Sequence, residues 1–112
     1  MNDKLSIQLR HLQREAKDWQ TKNFKKQKPY QPLLGIVEEV GELAHAHLKQ
    51  EQGIRKGEDF LGQKVDAIGD VIVFLAHYCN LSGIDLENAV YYTWQEVKQR
   101  DWIRFPFNGR TK

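Results

Sequence analysis

Hydrophobic positions recur along this chain at three- and four-residue steps, and no segment sustains the two-residue alternation of a strand. Leu5, Leu9, Leu12 and Ala16 share one helical stripe, which predicts a first helix from about residue 3 to the low twenties. Residues 25–32 are basic and hold two of the three prolines, so they read as a connector. A second helix is expected after Pro32. Its apolar residues, Ile36, Val37, Val40, Leu43, Ala44 and Leu48, fit a helical stripe, and Gly53 should stop it. Residues 53–59 read as a charged loop. The third helix, about 60–81, differs in kind. Val65, Ile68, Val71, Ile72, Phe74 and Leu75 leave it apolar almost all round, the mark of a central, buried helix. Its Val and Ile content also suits a strand, but length and the missing alternation favour helix. Ser82 and Gly83 end it. Ser82 or Asp85 can cap a fourth helix, about 85–101, carrying Leu86, Ala89, Val90, Trp94 and Val97. Pro106 and Asn108-Gly109 belong to an irregular tail. The expected fold is an all-α four-helix bundle in one domain, residues 1–112, completed by self-association, because four helices of one chain can only partly cover the third helix and Tyr91, Tyr92 and Trp94 add apolar surface.

Composition narrows the class. At 112 residues and 13.2 kDa there is room for one domain. With 40% hydrophobic and 29% charged residues the chain is too apolar to be disordered. Cys79 is the one cysteine, which excludes an internal disulfide, a cysteine zinc cluster and a CxxC redox centre. No uninterrupted apolar run approaches the roughly 18 residues of a membrane span, and Met1-Asn2-Asp3-Lys4 opens no signal-like segment. The expectation is a cytoplasmic protein without a membrane partner.

The net charge of +2 hides an asymmetry. Residues 1–31 sum to +5, residues 32–91 to −6 and residues 92–112 to +3. Neutralisation within a bundle accounts for this. So does a centre that holds a cation between ends that grip an anion. Nucleic acid is a poor match, because the basic cluster Lys22, Lys25, Lys26 and Lys28 is offset by the acidic middle.

The acids are ordered. At about 100° per residue, Glu38, Glu42 and His45 share one stripe of the second helix, with Glu39 beside it at the apolar border. Asp66, Asp70, Val73 and His77 line one stripe of the third helix, whose other sides are apolar. A buried carboxylate must be paired, hydrogen-bonded or bound to metal. Two readings follow. Either Lys and Arg from the basic ends form ion pairs with these acids, or the two helices pack antiparallel and face them across one cleft. Such an all-oxygen cleft suits Mg²⁺ or Mn²⁺ better than Zn²⁺.

Ile36-Val37-Glu38-Glu39-Val40-Gly41-Glu42-Leu43, with Asp66-Ala67-Ile68-Gly69-Asp70-Val71-Ile72 on the next helix, resembles the MazG-like all-α nucleotide pyrophosphohydrolases. The hallmark of that family is Glu-x-x-Glu on one helix and Glu-x-x-Asp on the next. The resemblance covers residues 30–104. It implies Mg²⁺-dependent hydrolysis of a nucleoside triphosphate, often deoxy or non-standard, to the monophosphate and pyrophosphate, by a homodimer or homotetramer. Mn²⁺ is expected to substitute. Glu39 and Glu42 match the first pair of ligands and Asp70 the final Asp. The Glu expected three residues before Asp70 is Ala67 here. Asp66, one turn from Asp70 on the same face, is the candidate replacement. Glu38 matches the acid that orients or deprotonates the attacking water. Glu96-Val97-Lys98-Gln99-Arg100-Asp101-Trp102 resembles the end of the last helix in small members, which makes Lys98 and Arg100 candidate phosphate ligands. A basic helix end complementing the helix dipole explains them equally. Lys49 and Arg55 are weaker candidates for the same work, and Trp19 is a candidate base-stacking residue.

Two other functions fit parts of the pattern. A helical binding or assembly module could keep the acidic cleft without turnover, which Ala67 favours. Glu42-Leu43-Ala44-His45 is also a Glu-x-x-His element of the kind used by di-iron carboxylate bundles, but no second such element follows Asp66, Asp70 or Glu96.

Overall fold

The structure, a computed structural model, describes residues 6–110. Among them are four helices and no strand: α1 (Leu9–Phe24), α2 (Tyr30–Gln52), α3 (Phe60–Ser82) and α4 (Leu86–Val97). The all-α expectation holds. The boundaries differ at three places. Leu5 lies outside the described residues, and α1 begins only at Leu9. α2 begins at Tyr30, ahead of Pro32, because the first helical turn needs no N–H bond and tolerates the ring. α4 ends at Val97, four residues short of the expected limit.

The stops and caps have clear causes. Gly53 and Gly83 end α2 and α3 in the left-handed conformation, at φ of 70° and 69°, where a Cβ is strained. Asp59 accepts from the Gly62 N–H at the start of α3, and Asp85 accepts from the Asn88 N–H at the start of α4.

α3 is central, as expected, but it is not buried all round. α2 packs on α3 alone, while α1 packs on α3 and α4. Only Ala67, Ala76, His77 and Cys79 of α3 are buried, and Val65 and Ile68 are more than half exposed. The one core cluster, Ala16, Ala76, Cys79 and Leu86, sits where α1 crosses the α3–α4 turn. There Gln13 acts as a clamp. Its side-chain amide donates to the Ile84 carbonyl at 2.7 Å and accepts from the Leu86 N–H at 2.8 Å. Its own carbonyl accepts from Asn80 at 3.0 Å.

The α2–α3 seam is made by small residues. Ala46 and Ala67 are shielded almost completely, and Gly35 lies against the Phe74 ring. Gly35 faces Phe74, Glu39 faces Asp70 and Gln50 bonds Lys64, so the two helices run antiparallel over their length.

The described chain is open. Its radius of gyration is 17.6 Å, against about 13 Å for a compact domain of this length. By length and hydropathy α3 alone among the described helices could cross a bilayer. Asp66 and Asp70 oppose that, since each carboxylate costs about 2.5–3.5 kcal/mol at a bilayer centre.

Candidate functional site

The acids of α2 and α3 meet on one side of the hairpin. A cavity of about 580 Å³ opens there, lined by Glu38, Gly41, Glu42 and His45 of α2, Gln63 and Asp66 of α3, and Glu58 of the connecting loop. Deeper, on the seam, the carboxyl of Glu39 lies beside those of Asp70 and Glu42. Its Oε2 atom is shielded from solvent and receives no hydrogen bond. Loss of hydration, then the neighbouring Asp70 and Glu42 carboxyls, hold the Glu39 proton on up to about pH 7, where an ordinary carboxyl loses it at 4.5.

Among the described residues no cation pairs with this cluster. Among the described residues the ion pairs involve Glu15, Glu51, Asp85, Glu87 and Glu96, and none involves Glu38, Glu39, Glu42, Asp66 or Asp70. Among the described residues, then, the fold does not build the ion-pair alternative for these acids. Lys64, the nearest lysine in sequence to Asp66, donates to Gln50 at 2.6 Å. A hard cation fits the donors, which are carboxylate oxygens with one shielded and unpaired. Among the described residues no three His, Cys, Asp or Glu side chains converge into a ready-made metal site. The carboxylates of the seam and those of the cavity wall would have to turn towards a common point.

The structure explains Ala67. It is 1% exposed, on the α3 stripe that meets α2, in the same row of small residues as Ala46 and Gly35. A Glu there would have to leave the seam. Asp66, next to it, is exposed on the cavity wall.

The basic candidates are dispersed. Lys98 is exposed at the end of α4. Arg100 is half-buried against the tail turn, with its Nε shielded and unpaired. Lys49 donates to Gln52 at 3.2 Å. Arg55, in a left-handed conformation at φ 54°, approaches His45 Nε2 at 3.4 Å and so stands at the edge of the cavity. None of these four lines the cavity itself. Trp19 is half exposed and stacks on the His77 ring, with 5.8 Å between centroids. His77 is buried, and burial pushes its pKa down. It meets Phe74 edge-on at 6.0 Å. Trp94 and Trp102 are likewise about half exposed.

Glu58 and Gln63 were not singled out from the sequence. Glu58 sat in a charged loop without a periodic signal, and Gln63 bonds it at 3.2 Å. Comparison with protein-family models, curated proteins and solved structures finds no match for this chain.

Proposed function

We propose that the protein is a Mg²⁺-dependent nucleoside triphosphate pyrophosphohydrolase of the MazG-like kind, releasing the monophosphate and pyrophosphate. One observation carries the proposal: five carboxylates without an ion-pair partner among the described residues gather on one side of the α2–α3 hairpin, with a shielded Glu39 Oε2 beside Asp70 and Glu42. Glu39, Glu42 and Asp70, with Asp66 at the cavity wall, would hold the cation. When bound, Mg²⁺ supplies positive charge for the phosphates and acidifies an attacking water.

The remaining chemistry belongs to the side chains. Glu38 lines the cavity beside Glu42 and accepts a proton from water there. Arg55, at the rim, meets phosphate oxygens. The exposed face of Trp19 offers a stacking surface to a base, and Lys98 and Arg100 act on phosphate only if substrate or a second chain brings them to the cavity.

The test is pyrophosphate release from a panel of nucleoside triphosphates with Mg²⁺, together with Mn²⁺ titration of Asp70→Asn and Lys98→Ala. Asp70→Asn should lose turnover and Mn²⁺ binding while melting no lower than the parent without metal. Lys98→Ala should bind Mn²⁺ normally. An Asp70→Asn protein that binds Mn²⁺ like the parent removes the metal site. A parent that binds Mn²⁺ without releasing pyrophosphate from any triphosphate favours the binding-module reading.

A further inference from the structure

The acidic cavity offers little to an anion. Of the residues lining it, Glu38, Glu42, Glu58 and Asp66 only accept hydrogen bonds when ionised, and Gly41 brings no side chain. The Gln63 side-chain amide donates to Glu58 at 3.2 Å. That leaves His45, one turn beyond Glu42 on α2 and nearer the α2–α3 loop. A triphosphate carries more negative charge than one divalent cation cancels, so a site that takes one needs a positive group at its rim.

The loop is tied down around Arg55. Gly53 turns the chain out of α2, the Ile54 N–H donates to the Lys49 carbonyl at 3.4 Å, and the Glu58 N–H donates to the Arg55 carbonyl at 3.3 Å. Arg55 itself is left-handed, which residues with a Cβ rarely adopt. Its guanidinium reaches back along α2, and Nη1 meets His45 Nε2 at 3.4 Å. A guanidinium has donors and no acceptor, so Nε2 accepts and the neutral ring carries its proton on Nδ1. Four carboxylates stand around the same cavity, yet Arg55 forms no ion pair among the described residues. The rest of its fork of N–H groups is free. His47, the other histidine of α2, is turned to Glu51 instead.

We infer that His45 is the positioning residue that presents Arg55 to the departing pyrophosphate, the two outer phosphates of the substrate. By accepting from Nη1 it keeps the guanidinium at the rim and off the neighbouring carboxylates. The remaining planar fork is left for a pair of phosphate oxygens. The order of groups along the hairpin says which phosphates these are. His45 lies to the loop side of Glu42, and Asp66 and Asp70 hold the middle of the α3 stripe. Val73 and His77 carry that stripe away from the loop, into a second hollow of about 230 Å³ that Trp19 also lines. His77, on which Trp19 stacks, is about two turns beyond Asp70. With the base on Trp19 and the reacting phosphorus over the carboxylates, the outer phosphates point to the loop and meet Arg55. The inference rests on the proposed activity and adds the direction in which the substrate lies.

The experiment is calorimetric titration of the full chain with inorganic pyrophosphate in the presence of Mg²⁺. The proteins are the parent, Arg55→Ala, His45→Ala, His45→Gln and Arg55→Ala/His45→Ala, each checked by circular dichroism and Mn²⁺ titration. Both side chains are exposed, so helix content and Mn²⁺ affinity should stay at the parent's values. Arg55→Ala should weaken pyrophosphate binding about tenfold or more. His45→Ala should weaken it about threefold to tenfold. In His45→Gln the side-chain carbonyl still accepts from the guanidinium, which should restore binding to within about twofold of the parent. The double variant should bind no worse than Arg55→Ala, because a residue that acts only through Arg55 has nothing left to hold. Losses that add in the double variant overturn the positioning role, since His45 then meets phosphate itself. Loss of Mn²⁺ binding in His45→Ala overturns it too, by making the imidazole a cation ligand. A parent that binds no pyrophosphate, or an Arg55→Ala protein that binds it like the parent, overturns the whole inference. The release assay keeps the two proposals apart. A parent that turns over triphosphate while Arg55→Ala binds pyrophosphate normally retains the activity and loses the inference. A parent that binds pyrophosphate through Arg55 but releases none from any triphosphate does the reverse.

Discussion

Gly35→Ala should destabilise the protein although alanine is the better helix former. Gly35 lies within α2, and a Cβ built on it falls 2.6 Å from Cε1 and 2.8 Å from Cδ1 of Phe74. Ordinary carbon contacts begin near 3.5 Å, so the helices must part or the ring must turn. The ring is held edge-on by His77. Overpacking of this kind costs about 1–3 kcal/mol, while replacing glycine in a helix interior gains about 1 kcal/mol. Gly69 supplies the control. It lies inside α3, and nothing stands within 4 Å of a Cβ placed there. Gly69→Ala therefore keeps the propensity gain without the clash, and subtracting the two changes leaves about 1–3 kcal/mol for the contact.

The contact also bears on the site. Gly35 is one turn before Glu39, and Phe74 is one turn after Asp70. Wedging the seam at 35 and 74 separates the two carboxyls next to it. Urea unfolding of both variants at one fixed chain concentration measures the difference, and Mn²⁺ titration of Gly35→Ala reads the effect on the acids. Equal stabilities for the two variants, or a Gly35→Ala protein more stable than the parent, would refute the tight seam.

Glu39 gives the metal-free protein a pH dependence of definite sign. Between its ordinary value of 4.5 and about 7 the folded chain keeps a proton there that the unfolded chain releases. Its contribution is full below the lower value and is lost as pH rises through the upper one. The melting temperature of the parent minus that of Glu39→Gln should fall from about pH 5 to about pH 8, and a flat or rising difference contradicts the shielded cluster. His77 acts in the opposite sense, because burial lowers its pKa and stability rises with pH up to its ordinary value of 6.5. The subtraction cancels it. At the other end of the molecule, Gln13→Ala leaves the Leu86 N–H and the Ile84 carbonyl without their partner. Chemical denaturation should show a loss of about 1–2 kcal/mol, and an unchanged midpoint would mean that water replaces the clamp at no cost.

Helical periodicity carried the element count because each helix has a regular stripe, and α2, α3 and α4 also have a glycine or an Asp at an end. It did not show how the helices share their apolar surface. An apolar residue looks the same in a sequence whether its own chain or another copy covers it, so Val65 and Ile68 read as core although the chain leaves them exposed. The acids were legible for the opposite reason. Asp66 and Asp70 in an apolar helix are costly unless something uses them, and Glu38, Glu39 and Glu42 share one flank of the preceding helix. The basic residues carried no such signal. Lys49, Lys98 and Arg100 sit at helix ends, where the dipole alone accounts for a cation, and spacing says nothing about which end of the molecule meets the cavity.

The placement of Ala67 joins the fold to the chemistry. Close approach of α2 and α3 requires small residues along the seam, and Gly35, Ala46 and Ala67 provide them. That same closeness presses Glu39 against Asp70 and strips it of water. A seam built for stability alone would place an apolar residue at position 70 or give its carboxylate a partner, since a buried charge left unpaired costs about 3–5 kcal/mol. Here Lys64 is turned to Gln50 and Arg55 to His45, and the Glu39 carboxyl is left beside those of Asp70 and Glu42. Carboxyls crowded in this way repel when ionised, so the fold is under tension at neutral pH until positive charge arrives from outside the chain. A divalent cation relieves that tension directly. Added Mg²⁺ should therefore raise the melting temperature of the parent more at pH 8 than at pH 5, and the change that Mg²⁺ produces in Glu39→Gln should be nearly the same at the two pH values.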